Sequence, residues 1–145
     1  MLDVEALIEP GLGLGGIAIG TAVDEILAKA EPQQVIDLPR DEEDPDGVTI
    51  HSFGAIRTWS VKGEVVQVGA FEGYAGRTAG AIGVGSTIAE IRAACGEVAA
   101  HGAPGFIVLS DLPGIGIETT EWATGDTPDP DAKAVQIFVH AVDEA

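Results

Sequence analysis

A 14-residue pattern occurs twice along this chain, and an internal duplication restricts the possible folds more than any other feature. Ile17-Ala-Ile-Gly-Thr-Ala-Val-Asp-Glu-Ile-Leu-Ala-Lys-Ala aligns with Ile82-Gly-Val-Gly-Ser-Thr-Ile-Ala-Glu-Ile-Arg-Ala-Ala-Cys at an offset of 65 residues. Ile17/Ile82, Gly20/Gly85, Glu25/Glu90, Ile26/Ile91 and Ala28/Ala93 are identical. Ile19/Val84, Thr21/Ser86 and Val23/Ile88 keep their chemistry. A second match follows in the same order, Val65-Val-Gln-Val against Ala134-Val-Gln-Ile, at an offset of 69. The difference falls in the Pro/Asp-rich stretch 124–131. The 145 residues are therefore read as a single domain, 1–145, built of two units at about 14–75 and 80–142.

Each unit opens on a short apolar strand that ends in glycine and leads into a helix. Thr21 and Ser86 are expected to cap these helices, and Asp24 to complete a box-like start. Val23, Ile26, Leu27 and Ala30 follow the i, i+3, i+4, i+7 spacing of one buried stripe. Ile88, Ile91 and Cys95 hold the same stripe in the second unit, so Cys95 reads as a small buried hydrophobe and not as a catalytic thiol. Three strands are expected after each helix: 48–53, 55–61 and 64–71, then 106–110, 115–122 and 134–142. Gly54 and Lys62-Gly63 mark tight turns. Closely spaced strands imply an antiparallel meander. The expected class is α+β: two tandem helix-plus-three-strand units forming one antiparallel sheet, with both helices on one face.

Alternation divides each strand into two sets. Val66, Val68 and Ala70, Ile115 and Ile117, and Val135, Ile137 and Val139 should meet the helices. The opposite face should carry Gln67, Gly69 and Phe71, then Glu118, Thr120 and Trp122, then Gln136, Phe138 and His140. Thr49, His51, Phe53, Arg57 and Trp59 are placed there too. That face would gather both tryptophans and three of the four phenylalanines. Aromatic residues and arginine bury large areas at little rotamer cost, so the mixture suits a binding surface. Cross-strand stacking that only stabilises the sheet is the plainer alternative.

Taken in order, the strand ending in Gly, the Thr/Ser position, the Ile/Leu stripe with Glu and the meander resemble the tandem repeat of the β-lactamase inhibitory protein fold. They are also similar to the single repeat of small SmpA/OmlA-type outer-membrane assembly lipoproteins. The resemblance covers most of 14–142 and implies a helix-backed sheet whose open face grips another protein. The chain lacks the inhibitor's disulfides, having Cys95 alone, and lacks the lipoproteins' lipid-attachment cysteine. Its size and acidity resemble those of immunity proteins that neutralise antibacterial toxins.

Charge narrows the partner. Seven Lys/Arg against 24 Asp/Glu leave a net charge of −17, which excludes non-specific nucleic-acid binding and disfavours anionic membranes. A hydrophobic content of 46% excludes a disordered acidic tail. Met1-Leu-Asp-Val-Glu has no basic n-region, and the Gly-rich run 11–23 is too short to span a bilayer, so a cytoplasmic location is expected.

Catalytic motifs are not found. G-x-x-x-x-G-K-[ST], H-E-x-x-H and C-x-x-C are all missing. Gly11-Leu-Gly-Leu-Gly-Gly16 precedes a strand instead of joining strand to helix, so a dinucleotide is not expected. Arg40-Asp-Glu-Glu-Asp-Pro-Asp-Gly47 offers Phe53 where a calcium loop starting at Glu42 needs an acid, and reads as a solvated acidic loop. No cofactor and no metal are expected. The leading expectation is a non-enzymatic protein-binding module, an inhibitor or immunity protein for a basic toxin or enzyme domain. Trp59, Phe71, Trp122 and Phe138 would anchor it, with His51, Arg57 and His140 beside them. Asp41, Glu42, Glu43, Asp44, Glu72 and Glu118 would supply complementary charge. Two alternatives stand: a small-molecule or enzymatic cavity using His51, Arg57 and His140, and a structural subunit or homo-oligomer paired through the aromatic face.

Overall fold

In the computed structural model, residues 3–39, 46–79, 82–96, 98–100, 106–109, 114–120 and 130–141 are described. The elements run β1 (Gly13–Leu14), β2 (Ile17–Ala18), α1 (Val23–Leu27), β3 (Gln34–Leu38), β4 (Val48–Ser52), β5 (Ile56–Val61) and β6 (Glu64–Ala70). Then come α2 (Ile88–Cys95), β7 (Val98–Ala100), β8 (Phe106–Leu109), β9 (Ile115–Thr119) and β10 (Ala134–His140). β1 and β2 form a small hairpin. The other eight strands form one sheet in the order β3-β4-β5-β6-β10-β9-β8-β7, antiparallel throughout.

The expected α+β class is corrected by this arrangement. The protein is mostly β, with helices of only five and eight residues. Four strands, not three, follow each helix, because β3 and β7 join the sheet at its two edges. The helices do not cover the sheet by themselves. Val23, Ile26, Ile88 and Ile91 share one core with Leu14 and Ile17 of the hairpin, with Ile8, Tyr74 and Ile82, and with Ile56, Val68, Ile117, Ile137 and Val139 of the sheet.

Backbone hydrogen bonds set where each helix starts. Gly20 N–H donates to Val65 O, Val65 N–H to Thr21 O, and Val23 N–H to Gly63 O. In the second half Gly85 N–H donates to Ala134 O, Ala134 N–H to Ser86 O, and Ile88 N–H to Ala132 O. Thr21 and Ser86 are thus held extended against β6 and β10 and do not cap. The cap positions fall one residue later. Ala22 offers α1 no side-chain bond, and α1 ends after five residues with Leu27 38% exposed and Ala30 beyond it. Thr87 closes a full capping box with Glu90 on α2, and these hydrogen bonds hold the Glu90 carboxyl below its usual range. Cys95 ends α2; the surroundings of its side chain fall outside the described residues.

Both strands bulge immediately after these contacts. Ser60 pairs with Val65 but Trp59 with Gln67, and Thr119 pairs with Ala134 but Glu118 with Gln136. Val66 and Val135 are the extra residues. Both were expected in the core, yet they are 41% and 39% exposed. The bulge restores the alternation, so Val65, Val68 and Ala70 face inward along β6, as do Ala134, Ile137 and Val139 along β10. The phase of β4 is also corrected. Phe53 N–H donates to Ile56 O across the two-residue turn Gly54-Ala55, so Phe53 shares the face of the buried Ile56. Thr49 and His51 follow it to the core side, opposite Arg57 and Trp59. At the β5–β6 turn, Lys62 and Gly63 both take positive φ, 51° and 78°, the pair of left-handed positions a tight hairpin requires.

Tyr74 ties the N-terminal segment to the core. Its hydroxyl accepts from Gly15 N–H at 2.8 Å and donates to Ala6 O at 2.7 Å. Burial raises its pKa above the usual 10.0.

Two outcomes are expected. Val68→Ala should cost about 2 kcal/mol or more in urea unfolding, through lost burial and a cavity, while Val66→Ala should cost less than about 0.5 kcal/mol. Tyr74→Phe should cost about 1–3 kcal/mol by leaving the Gly15 N–H and Ala6 carbonyl without their partner. Above pH 10.0 the unfolded chain should release the Tyr74 proton first. Stability should therefore fall as pH rises through that region, and Tyr74→Phe should flatten this part of the curve. Tyr74 is the one tyrosine of the chain, so its phenolate absorbance reads the folded-state titration directly.

Candidate functional site

The sheet face turned away from the core is assembled in rows by the register. One row runs Ile36, Ile50, Trp59, Gln67, His140 across β3, β4, β5, β6 and β10. The next runs Gln34, Ser52, Arg57, Gly69, Phe138, Gly116. A third brings Phe71, just past β6, toward the cross-strand pair Gln136 and Glu118. Trp59, Phe71 and Phe138 are all half-buried.

Two glycines seat the rings. A Cβ built on Gly69 would lie 3.0 Å from Trp59 Cζ3 and 3.3 Å from Phe71 Cε2. One built on Gly116 would lie 3.0 Å from Phe138 Cδ2 and 3.2 Å from its Cζ. Each ring therefore rests on bare strand backbone, covering what the glycine leaves open. The Arg57 guanidinium carbon lies 4.5 Å from the Phe71 ring centroid, and its Nε donates to Ser52 Oγ at 3.0 Å. This cation–π contact fixes both side chains against the sheet.

Beside Phe71 lies a groove of about 470 Å³. Phe71, Val84 and Val135 give it apolar walls, and Glu72, Glu118, Lys133 and Gln136 give it polar ones. The exposed bulge residue Val135 thereby acquires a place in the wall.

The expected site residues divide accordingly. Arg57, Trp59, Phe71, Phe138, Glu118 and His140 share the open face, and Glu72 sits at its edge on the groove. His140 holds Nδ1 3.0 Å from Ala141 O. His51 does not belong there: it lies on the core side, 7% exposed, stacked on Phe53 at 6.3 Å. The cavity expected from His51, Arg57 and His140 together is therefore not formed. Trp122, Asp41, Glu42, Glu43 and Asp44 fall outside the described residues. Ile36 was missed because β3 was not recognised; its signal is the apolar run Val35-Ile-Asp-Leu38 between Pro32 and Pro39. Ile50 was missed because the phase of 48–53 was reversed. Among the described residues, no group of three or more His, Cys, Asp or Glu is placed to hold a metal. None of their helices is long and apolar enough to cross a membrane.

Gly69→Ala should lift Trp59 from its seat. In a Trp122→Phe background the fluorescence should move to the red, with about 1 kcal/mol lost from overpacking. An unchanged emission spectrum would place the ring elsewhere.

Comparison of the chain with protein-family models, with curated proteins and with solved structures found no match.

Proposed function

We propose that the protein is a non-enzymatic binding module whose open sheet face grips a basic protein partner. The observation that carries this reading is the seating of Trp59 and Phe138 on Gly69 and Gly116. Both rings are half-buried, and aromatics held in one orientation are suited to anchoring a partner at little entropic cost. Arg57, locked on Phe71, adds a fixed donor at the centre of the same face.

Net charge supports the sign of the partner. At −17 the protein attracts cationic surfaces over long range and repels nucleic acid. Glu72 and Glu118 place two of those charges at the aromatic face. The acids Asp41, Glu42, Glu43 and Asp44 enter through charge alone. In its narrower form, the proposal is an inhibitor or immunity protein acting in the cytoplasm, which blocks a toxin or enzyme domain whose active surface is basic. An acidic plug fits a site built for an anionic substrate.

A partner captured by the wild-type protein provides the test. Trp59→Ala and Phe138→Ala should speed its dissociation and cost on the order of 2 kcal/mol each, with little change in association rate. Neutralising Asp41, Glu42, Glu43 and Asp44 together should mainly slow association. That loss should shrink toward about 0.5 M salt, where the Debye length is a few Å. If folded Trp59→Ala and Phe138→Ala proteins hold the partner unchanged, the open face is not the binding surface.

A further inference from the structure

We infer that the groove between Phe71 and Glu118 is a receptor for one guanidinium group, and that its occupant is an arginine side chain of the partner. The inference rests on the binding-module reading but concerns a different part of the surface from the Trp59 and Phe138 seats.

The decisive residue is Gln136. It is 8% exposed and lines the groove. Its amide makes no hydrogen bond to another described residue, and its nitrogen and oxygen remain within reach of solvent. What exposure it keeps opens on the groove. Its carbonyl oxygen can therefore exchange a water for a bound donor.

The neighbouring groups say which donor. Glu118 is the cross-strand partner of Gln136, and neither it nor Glu72 forms a salt bridge among the described residues. Phe71 contributes a ring that already takes one guanidinium, that of Arg57. Val84 and Val135 line the walls with hydrocarbon. A carboxylate, an amide oxygen, an aromatic ring and apolar walls match the parts of an arginine: a flat fork of N–H donors on a three-methylene stem. An ammonium presents fewer donors and no plane to match. An anion would meet two carboxylates. Lys133 also lines the groove, and its charge opposes the cation, so it serves to weaken binding and not to create the site.

The probe is N-acetyl-arginine methylamide, followed by the backbone amide resonances of the folded protein. It should shift those of Phe71, Glu118 and Gln136 in a saturable manner, with roughly millimolar affinity for so small a ligand. The citrulline analogue, equal in shape but uncharged, should not. Glu118→Gln and Gln136→Leu should each weaken binding about tenfold or more, and Lys133→Gln should tighten it. Unchanged melting temperatures would show that the variants are folded; if Gln136→Leu is not, Glu118→Gln decides. Equal binding of citrulline, shifts elsewhere on the molecule, or indifference to Glu118→Gln would overturn the inference. A captured partner that is released by Trp59→Ala but ignores Glu118→Gln and Gln136→Leu would reject the groove and leave the open face standing. Arginine binding in the groove, with a partner indifferent to Trp59→Ala and Phe138→Ala, would do the reverse.

Discussion

Two backbone clamps organise the molecule. In each half, the extended residues before the helix exchange hydrogen bonds with the first inward residue of the last strand: Gly20 and Thr21 with Val65, Gly85 and Ser86 with Ala134. A strand start held from one side while pairing with its neighbour on the other cannot slide. The bulge that follows sets the alternation for the rest of the strand. β6 and β10 then pair with each other through Gln67–His140, Val68–Val139, Gly69–Phe138 and Ala70–Ile137. That ladder joins two four-stranded meanders into one sheet. Everything on the open face inherits its position from these two fixed points.

The consequence for the site is a division of labour between strands. β6 and β9 contribute glycines, and β5 and β10 contribute the rings that lie on them. A glycine weakens a strand by its lost side chain and extra freedom. The covering ring offsets part of that and is itself immobilised. Where the surface needs a rigid apolar feature, the protein uses a hollow in the backbone and an aromatic laid across it. Of the described acids, Glu72 lies at the edge of this face and Glu118 in the row next to Phe138.

Much of this was legible in the sequence. The pairing of 17–30 with 82–95 and of 65–68 with 134–137 pointed to the segments that the clamps and bulges use. The inward phase of Ile115, Ile117, Ile137 and Val139 followed from strict alternation. The errors have local causes. Val66 and Val135 were assigned inward because alternation has no means of announcing an inserted residue. His51 was placed outward because a two-residue turn reverses the phase that a longer loop would have preserved. Thr21 and Ser86 looked like caps because capping chemistry is local, whereas the clamp that claims their carbonyls comes from more than 40 residues away. The helices were overestimated because apolar spacing records a stripe but not the chain's exit from it. Gln136 was assigned to the right face, but an unpaired amide can be recognised only once its surroundings are known.

The far edge of the sheet shows why so much charge is carried. β3 is exposed along its whole length, with Val35 at 51%, Ile36 at 37% and Leu38 at 44%. It bonds to β4 alone and contains no proline, lysine or bulge to blunt it. Such a strand is a template on which another copy can grow. Mutual repulsion between strongly negative molecules keeps copies apart at neutral pH. Near the isoelectric point of about 4.1 that repulsion vanishes. The acidity is thus also a colloidal safeguard, and pH governs how long separate copies persist through an edge strand that has no part in the aromatic seats.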